Sequence, residues 1–533
     1  MRAYIAYCGR PADSGGLSYW AGRLSKAGRD LIEIMQDVGI SKEFTDRYGS
    51  LSSADLVKSI YRQLLGRDPE QGGVDDWVGE LTSGRKTLQS ISLDVLFGAS
   101  GGDASIVSNR LNVAKSFTNG SALQSGYLAE ADGDSMAALL DAQSGGLAKT
   151  FAVTTSVDKN NGFCGRDCSL WEGVAAADSA GGLAGIRVPA GAYVVSLGPL
   201  NMTGGVHIHG TAASSVVLDG NAKSRIFTLE PTSARLVLSQ MTLPNGKCDY
   251  GGALLNTGNL TGLGLTLSTN TAVSVDTNTG YGSGLYNEDG TYGLFASAVR
   301  GNSATFNGGG LYSTSNGTII NSTFTSNVSG AIGGGIDSMG AIDVIGSRFA
   351  SNTANDGGAL SARELKALVN VTTSTFEDNL ANGIDLDGGN ALNYKGVLTV
   401  RDSVFNRNIA YGEGGGAIET NGALNLTSVA TDGNTAKMHG NALQDSAPGF
   451  GGAVLTIYGG IITMDASQFT NNIVDNSGGA FYNDQNTQLT ILNSKFTSNT
   501  AQGLYAGGGD LLNDAAVSTL TRSQFLYPMF FLN

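Results

Sequence analysis

The sequence predicts a mainly β protein, a right-handed parallel β-helix of three-strand coils, preceded by an N-terminal all-α helical domain. Three observations carry that prediction. A Phe-x-x-Asn step and a glycine pair return together at a period of roughly 25 residues, the size of one solenoid turn. Glycine is abundant, with 78 of 533 residues, while proline is scarce at 8. Near the start, a helical pattern occurs twice in succession without gaps.

Composition narrows the function classes. Hydrophobic residues make up 41% of the chain, ample for a core, and charged residues only 15%. A formal net charge of -14 and a pI near 4.7 leave no basic stripe to neutralise phosphates, so nucleic acid is excluded as a partner. The acidic, lysine-poor composition suits a secreted protein that stays soluble by charge. No run of eighteen apolar residues occurs, so no transmembrane segment is expected. The start, MRAYIAYCGRPADSGG, lacks an apolar run ending in small residues and does not read as a signal peptide. Export then uses another route, or this start is not the native one.

The helical part comes first. Residues 4–24, YIAYCGRPADSGGLSYWAGRL, align with residues 61–81, YRQLLGRDPEQGGVDDWVGEL. Tyr4 meets Tyr61, Gly9-Arg10 meets Gly66-Arg67, Gly15-Gly16 meets Gly72-Gly73, and Trp20 meets Trp77. Each unit reads as helix, turn, helix, with helical apolar spacing in LIEIMQDVGI and LVKSIYRQLL and a Gly-Arg-x-Pro turn. The glycine pairs read as turns before helices. Residues 105–118 supply a third helical stretch. Trp20 and Trp77 recur at one helical position, which favours a core role over sugar stacking, and Cys8 reads as a small apolar core residue. GRDPEQGGVDD lacks the acidic spacing of an EF-hand. This pair resembles a bacterial domain of unknown function with the pattern LGRxPDxxGLxYW, found in secreted and surface proteins. The resemblance implies export by type I machinery.

The expected domains are 1–118 (helical, two LGRxPD-type repeats), 119–150 (linker and helix), 151–184 (cap) and 185–533 (β-helix). The cap rests on VDKNNGFCGRDCSLWEGVAAADSAGGLAGIRVPAGAYVV. This stretch resembles the CSLREA-type module that opens many secreted bacterial β-helix proteins, with Trp171 where that pattern has Arg. An amphipathic helix over the first coil would cover unpaired backbone groups at the sheet end. Cys164 and Cys168 are the candidate disulfide that staples it, and a zinc site from the same pair is the alternative.

The coils follow. Glycine clusters lie at 251–252, 282–284, 308–310, 333–335, 357–358, 388–389, 414–416, 451–452, 478–479 and 507–509. The Phe/Asn step occurs at Phe324/Asn327, Phe349/Asn352, Phe376/Asn379, Phe405/Asn408, Phe469/Asn472 and Phe496/Asn499. Short β-branched runs between them read as strands. The expectation is that Phe stacks on Phe inside, Asn takes a left-handed bend, and Gly supplies positive φ where the next coil presses close. About thirteen coils at ~4.8 Å each make a rod on the order of 60 Å long. These signatures resemble the polymorphic outer-membrane-protein repeats of the pectin-lyase-like superfamily over residues 185–525. The chain ends in QFLYPMFFLN, which caps the last coil or marks a truncated reading frame.

Chemistry is thinly signalled. His207 and His209 in GVHIHG share one strand face and could be exposed together as metal or acid–base candidates. Asp385 and Asp387 in NGIDLDGGN share a face near a glycine turn and are candidates for calcium. Arg300, Arg363, Arg401 and Arg407 are scattered, with no companion acids in register. No cofactor other than that calcium and no catalytic residue is expected. The expected function is a non-catalytic extracellular or cell-surface adhesin-like rod whose polar face binds extracellular polysaccharide or a surface glycan or protein. The alternatives are a carbohydrate-active enzyme, either polysaccharide lyase or glycoside hydrolase, and a carbohydrate-binding protein without turnover. An enzyme requires grouped carboxylates, or carboxylates with Arg, in one groove.

Overall fold

The computed structural model describes residues 23, 51–65, 69–99, 107, 149–211, 213–274, 279–362, 368–383, 391–393, 396–412, 414–438, 449–457, 460–484, 487–502, 507–514, 517–526 and 529–532. The first helical repeat with Cys8 and Trp20, nearly all of the stretch 105–118, and most of the linker lie outside them. The chain divides into two compact units, Met1–Thr150 with Ala180–Gly185, and Phe151–Ser179 with Ile186–Asn533.

In the first unit, α1 (Ser53–Leu65), α2 (Gln71–Thr82) and α3 (Leu88–Gly98) are described. Val57, Ile60 and Leu64 form one fully buried stripe on α1 at helical spacing, which is how a short helix gains stability from packing. Trp77 on α2 donates its indole N–H to the Tyr61 hydroxyl on α1 at 3.1 Å, so the recurring aromatic pair ties the two helices together. Gly72 and Gly73 lie within the first turn of α2 rather than before it. Pro69 and the extended Glu70 end the turn earlier than the glycines suggest. The Thr87 hydroxyl accepts from the Ser90 N–H, and the Ser90 hydroxyl from that of Thr87, closing a capping box on α3.

The second unit is a parallel β-helix. Among the described residues its coils supply sheets of 14, 13 and 13 strands and a further ladder of 10 very short strands. A representative coil runs Gly317–Ile320, Thr323–Thr325, Val328–Ser329 and Ile336–Ser338. These belong respectively to the 14-stranded long sheet, an aromatic sheet, the short ladder and a third sheet that follows each glycine cluster. A short fourth strand thus joins the three of the main sheets in ten of the coils. The short fourth strand forms because the buried Asn fixes the bend before it, leaving two residues in register with the neighbouring coils.

Side chains of one kind stack along the axis. Phe324, Phe349, Phe376 and Phe405 are fully buried, with ring centroids 4.9, 4.8 and 4.7 Å apart and nearly parallel planes. Thr431 interrupts the column, which resumes through Phe469, Phe496 and Phe525. The spacing of stacked strands matches that of offset aromatic rings. Truncating one of these rings to Ala would cost about 3–5 kcal/mol.

The asparagines are fully buried too, but the left-handed residue is the one before each of them. Ser326, Ser351, Asp378, Arg407, Asn471 and Ser498 have φ of 55, 54, 55, 52, 53 and 57°. That turn points each Asn inward, where its amide acts along the axis. Asn327 donates from Nδ2 to Asn352 Oδ1 at 2.9 Å, and Asn352 to Asn379 Oδ1 at 3.0 Å. The chain of amides ends where Asn499 Nδ2 donates to the buried Asp510 carboxylate at 2.9 Å. Serines two residues before each Phe make a second ladder. Ser322 donates its backbone N–H to Ser347 Oγ, and Ser347 to Ser374 Oγ, both at 3.1 Å. At the glycine cluster, Gly333 takes a φ of 68°, and a side chain on Gly334 would begin 2.3 Å from the Gly358 carbonyl oxygen. The first glycine is required by conformation and the second by contact.

Cys164 and Cys168 are joined by a disulfide, with Cα atoms 4.4 Å apart. The next helix, α4 (Leu170–Asp178), packs on strands Leu200–Met202 and Gly205–Gly210 and buries Leu170, Val174 and Ala177.

Candidate functional site: the outward polar faces

The histidines occupy the long sheet. Val206 and Ile208 point into the core and are fully buried. His207 and His209 point outward, as alternation requires, but His207 is only 3% exposed, so the two are not displayed together. The Ser239 hydroxyl lies 3.0 Å from His207 Nε2 and 2.9 Å from His209 Nδ1. A hydroxyl can donate to one ring and accept from the other, so Ser239 occupies both facing nitrogens. Burial, and then the charge of Arg187, push the His209 pKa down, which favours a neutral ring. The arrangement is a hydrogen-bonded bridge between coils. Among the described residues no group of three or more His, Cys, Asp or Glu side chains is placed to hold a metal ion. Asp385 and Asp387 lie outside the described residues, as does Arg363.

Further along the same face, Asp343 accepts from Asn370 Nδ2 at 2.8 Å. Burial raises its pKa against the lowering effect of that bond.

The outer side of the aromatic sheet is different in character. Residues flanking each buried Phe or its equivalent point outward in register, including Ser268–Arg300–Thr325 and Thr323–Arg348–Thr375. Many are hydroxyl, amide or charged side chains, and Arg348, Asp432, Gln468 and Lys495 are exposed. Arg407 has companion acids after all. It binds Asp378 through two nitrogens at 2.8 Å and approaches Glu377 at 3.6 Å, while Glu377 also pairs with Arg348. The pairing crosses a coil boundary, which spacing along the chain does not reveal.

One notch breaks this face. Ser268, Thr269, Arg300, Gly301, Thr325 and Ser326, from three successive coils, line an open depression of about 370 Å³. No hydrogen bond or ion pair engages the Arg300 guanidinium among the described residues. Sequence reading missed it because no residue type announces a gap.

A separate aromatic cluster lies on the third sheet. Tyr286 and Tyr312 stack at 5.3 Å, and Tyr281 meets Phe306 edge-on at 5.2 Å. Tyr286 and Tyr312 are 8% and 7% exposed, so these rings mostly cover one another. Beside it Arg225 donates to Cys248 Sγ at 3.3 Å, and the Cys248 thiol donates to Asp249 at 3.0 Å. Burial raises the thiol's pKa, the reverse of what a nucleophile needs.

Comparisons with known proteins give the following. Residues 35–96 match a domain of unknown function, DUF4214. No curated protein matches the chain. Among solved structures, the chain is similar to PfbA, a surface adhesin of Streptococcus pneumoniae. That match has 11% identity and a TM-score of 0.31, over 63% of this chain and 89% of that one. It is also similar to the A-module of the Azotobacter vinelandii mannuronan C-5 epimerase AlgE4, at 12% identity, TM-score 0.23, and coverage of 72% and 100%. A third is the catalytic domain of a GH87 alpha-1,3-glucanase, at 12% identity, TM-score 0.26, and coverage of 64% and 65%. At such identities the likeness concerns chain winding alone.

Proposed function

We propose that the protein is a non-catalytic extracellular or cell-surface rod whose outer aromatic-sheet face binds polysaccharide. The observation that supports this reading is periodicity. Outward polar side chains recur in register from coil to coil, at about 4.8 Å per coil, a rise close to that of one sugar residue in an extended chain. The internal ladders hold this face rigid, so little ordering cost attends binding, and each added coil–sugar contact strengthens attachment through multivalency. In this proposal the helical residues 1–118 serve attachment or type I export, 119–150 form the linker, 151–184 form a CSLREA-type cap and 185–533 the rod.

The test is binding of size-fractionated neutral and acidic oligosaccharides, with simultaneous assay for new reducing ends and unsaturated products. Affinity should rise with oligosaccharide length without product release. Binding to none of them, or steady product release, overturns the proposal. A second reading, a carbohydrate-active enzyme, would use Asp343, whose carboxyl burial makes a weaker acid, as general acid together with a further carboxylate in the same groove. It requires product release that Asp343→Asn abolishes.

A further inference from the structure

We infer that the notch at Gly301 is a binding site for one uronic-acid residue of a glycan chain, with Arg300 engaging its carboxylate. The inference rests on the polysaccharide reading and gives it an address and a ligand chemistry. The bend before each buried Asn carries one outward side chain per coil, Thr269, then Gly301, then Ser326. All three have left-handed backbone, with φ of 53, 61 and 55°. Gly301 lacks the side chain its neighbours have, and a Cβ there would find only Thr269 Cγ2, at 4.0 Å. The missing group opens the depression of about 370 Å³.

Arg300 stands on the strand just before that gap, in register with Ser268 on one side and Thr325 on the other. It is exposed, and no carboxylate pairs with it among the described residues. That contrasts with Arg348 and Arg407 on the same face, both ion-paired. The hydroxyls of Ser268, Thr325 and Ser326 likewise make no hydrogen bond to a described residue, whereas Thr269 Oγ1 donates to Asn245 Oδ1 at 2.9 Å. A guanidinium presents a planar fork that fits a carboxylate through two parallel hydrogen bonds. Hydroxyls one coil apart suit the ring hydroxyls of the same sugar and its neighbour. On a chain of net charge -14, an unpaired cation among hydroxyls selects an anionic sugar rather than a neutral one.

The experiment measures binding of a purified oligogalacturonate to the full chain, with dextran sulfate and neutral dextran in parallel. Arg300→Ala removes the fork. Gly301→Asn fills the notch with a residue that tolerates left-handed backbone. Both variants should keep the wild-type unfolding midpoint and bind oligogalacturonate at least about tenfold more weakly, the loss expected for a charge-assisted pair. Wild-type affinity in either variant overturns the inference while leaving the rod's glycan binding intact. So does tighter wild-type binding of dextran sulfate or of neutral dextran than of oligogalacturonate. If the wild type binds none of the three, the notch falls together with the broader proposal.

Discussion

Asn352 shows what one side chain does here. Its Oδ1 accepts from both the Nδ2 and the backbone N–H of Asn327, at 2.9 and 3.1 Å. Its Nδ2 donates to the Phe324 carbonyl and to Asn379 Oδ1, at 2.9 and 3.0 Å. No water replaces a lost partner cheaply at a fully buried position. An amide is therefore needed, since a carboxylate would keep the acceptor and lose the donor. Asn352→Asp places a negative oxygen against two acceptors and should destabilise the rod by on the order of 3 kcal/mol or more at neutral pH. A protonated carboxyl can donate again, so the variant's unfolding midpoint should rise as pH is lowered while the wild type's does not. Thermal unfolding followed across pH 7 to about 4 checks this, and equal pH profiles for both chains would refute it.

At the scale of the element, α4 depends on its first turn. The Ser169 hydroxyl accepts from the Glu172 N–H at 3.2 Å, and the buried Glu172 carboxylate accepts from Ser169 N and Asn161 N at 2.9 and 3.0 Å. The hydrogen bond from Ser169, then that from Asn161, hold the Glu172 pKa below its usual value against desolvation. A carboxylate with a lowered folded pKa binds protons less readily than in the unfolded chain. Its stabilisation is thus complete above the unfolded value of about 4.3 and disappears as pH falls through the folded one. Glu172→Gln should flatten the acid limb of the cap's unfolding, read by hydrogen exchange in α4, and Ser169→Ala should cost about 1 kcal/mol at all pH values. Unchanged acid sensitivity in the Gln variant would place the titration elsewhere. The helix itself was legible as an amphipathic stretch, whereas its Ser169–Glu172 capping box emerges only from the structure. The Phe, Asn and Gly columns were legible because they repeat. The serine ladder was not, because Ser and Thr are so frequent that no single one stands out until backbone register selects Ser322, Ser347 and Ser374. The notch at Arg300 was hidden for a related reason, because it consists of a side chain that Gly301 does not have.

Along the β-helix, the described coils pair with their neighbours in parallel, so the rod is a one-dimensional stack whose stability sums over coils and their interfaces. Thr323 pairs with both Ala298 and Arg348, and Ile319 with both Leu294 and Val344. Excising residues 323–347 would join Ser322 to Arg348 and set Phe349 on Val299 in place of Phe324. The same cut brings Val371 of the long sheet onto Ile319 and Leu360 of the third sheet onto Leu311, because each strand removed has an equivalent one coil later. The shortened chain should fold to a soluble β-rich protein with a midpoint within a few degrees of the parent, since one interface among many is lost. Excising only 323–334 removes the aromatic strand, the short strand and part of the glycine cluster. It leaves the following strands out of register and turns core side chains toward water. That variant should aggregate or lose its cooperative melt in circular dichroism. A whole-coil deletion that behaves like the half-coil one would mean that the coils are not interchangeable units and that the register is set by something other than the stacked ladders.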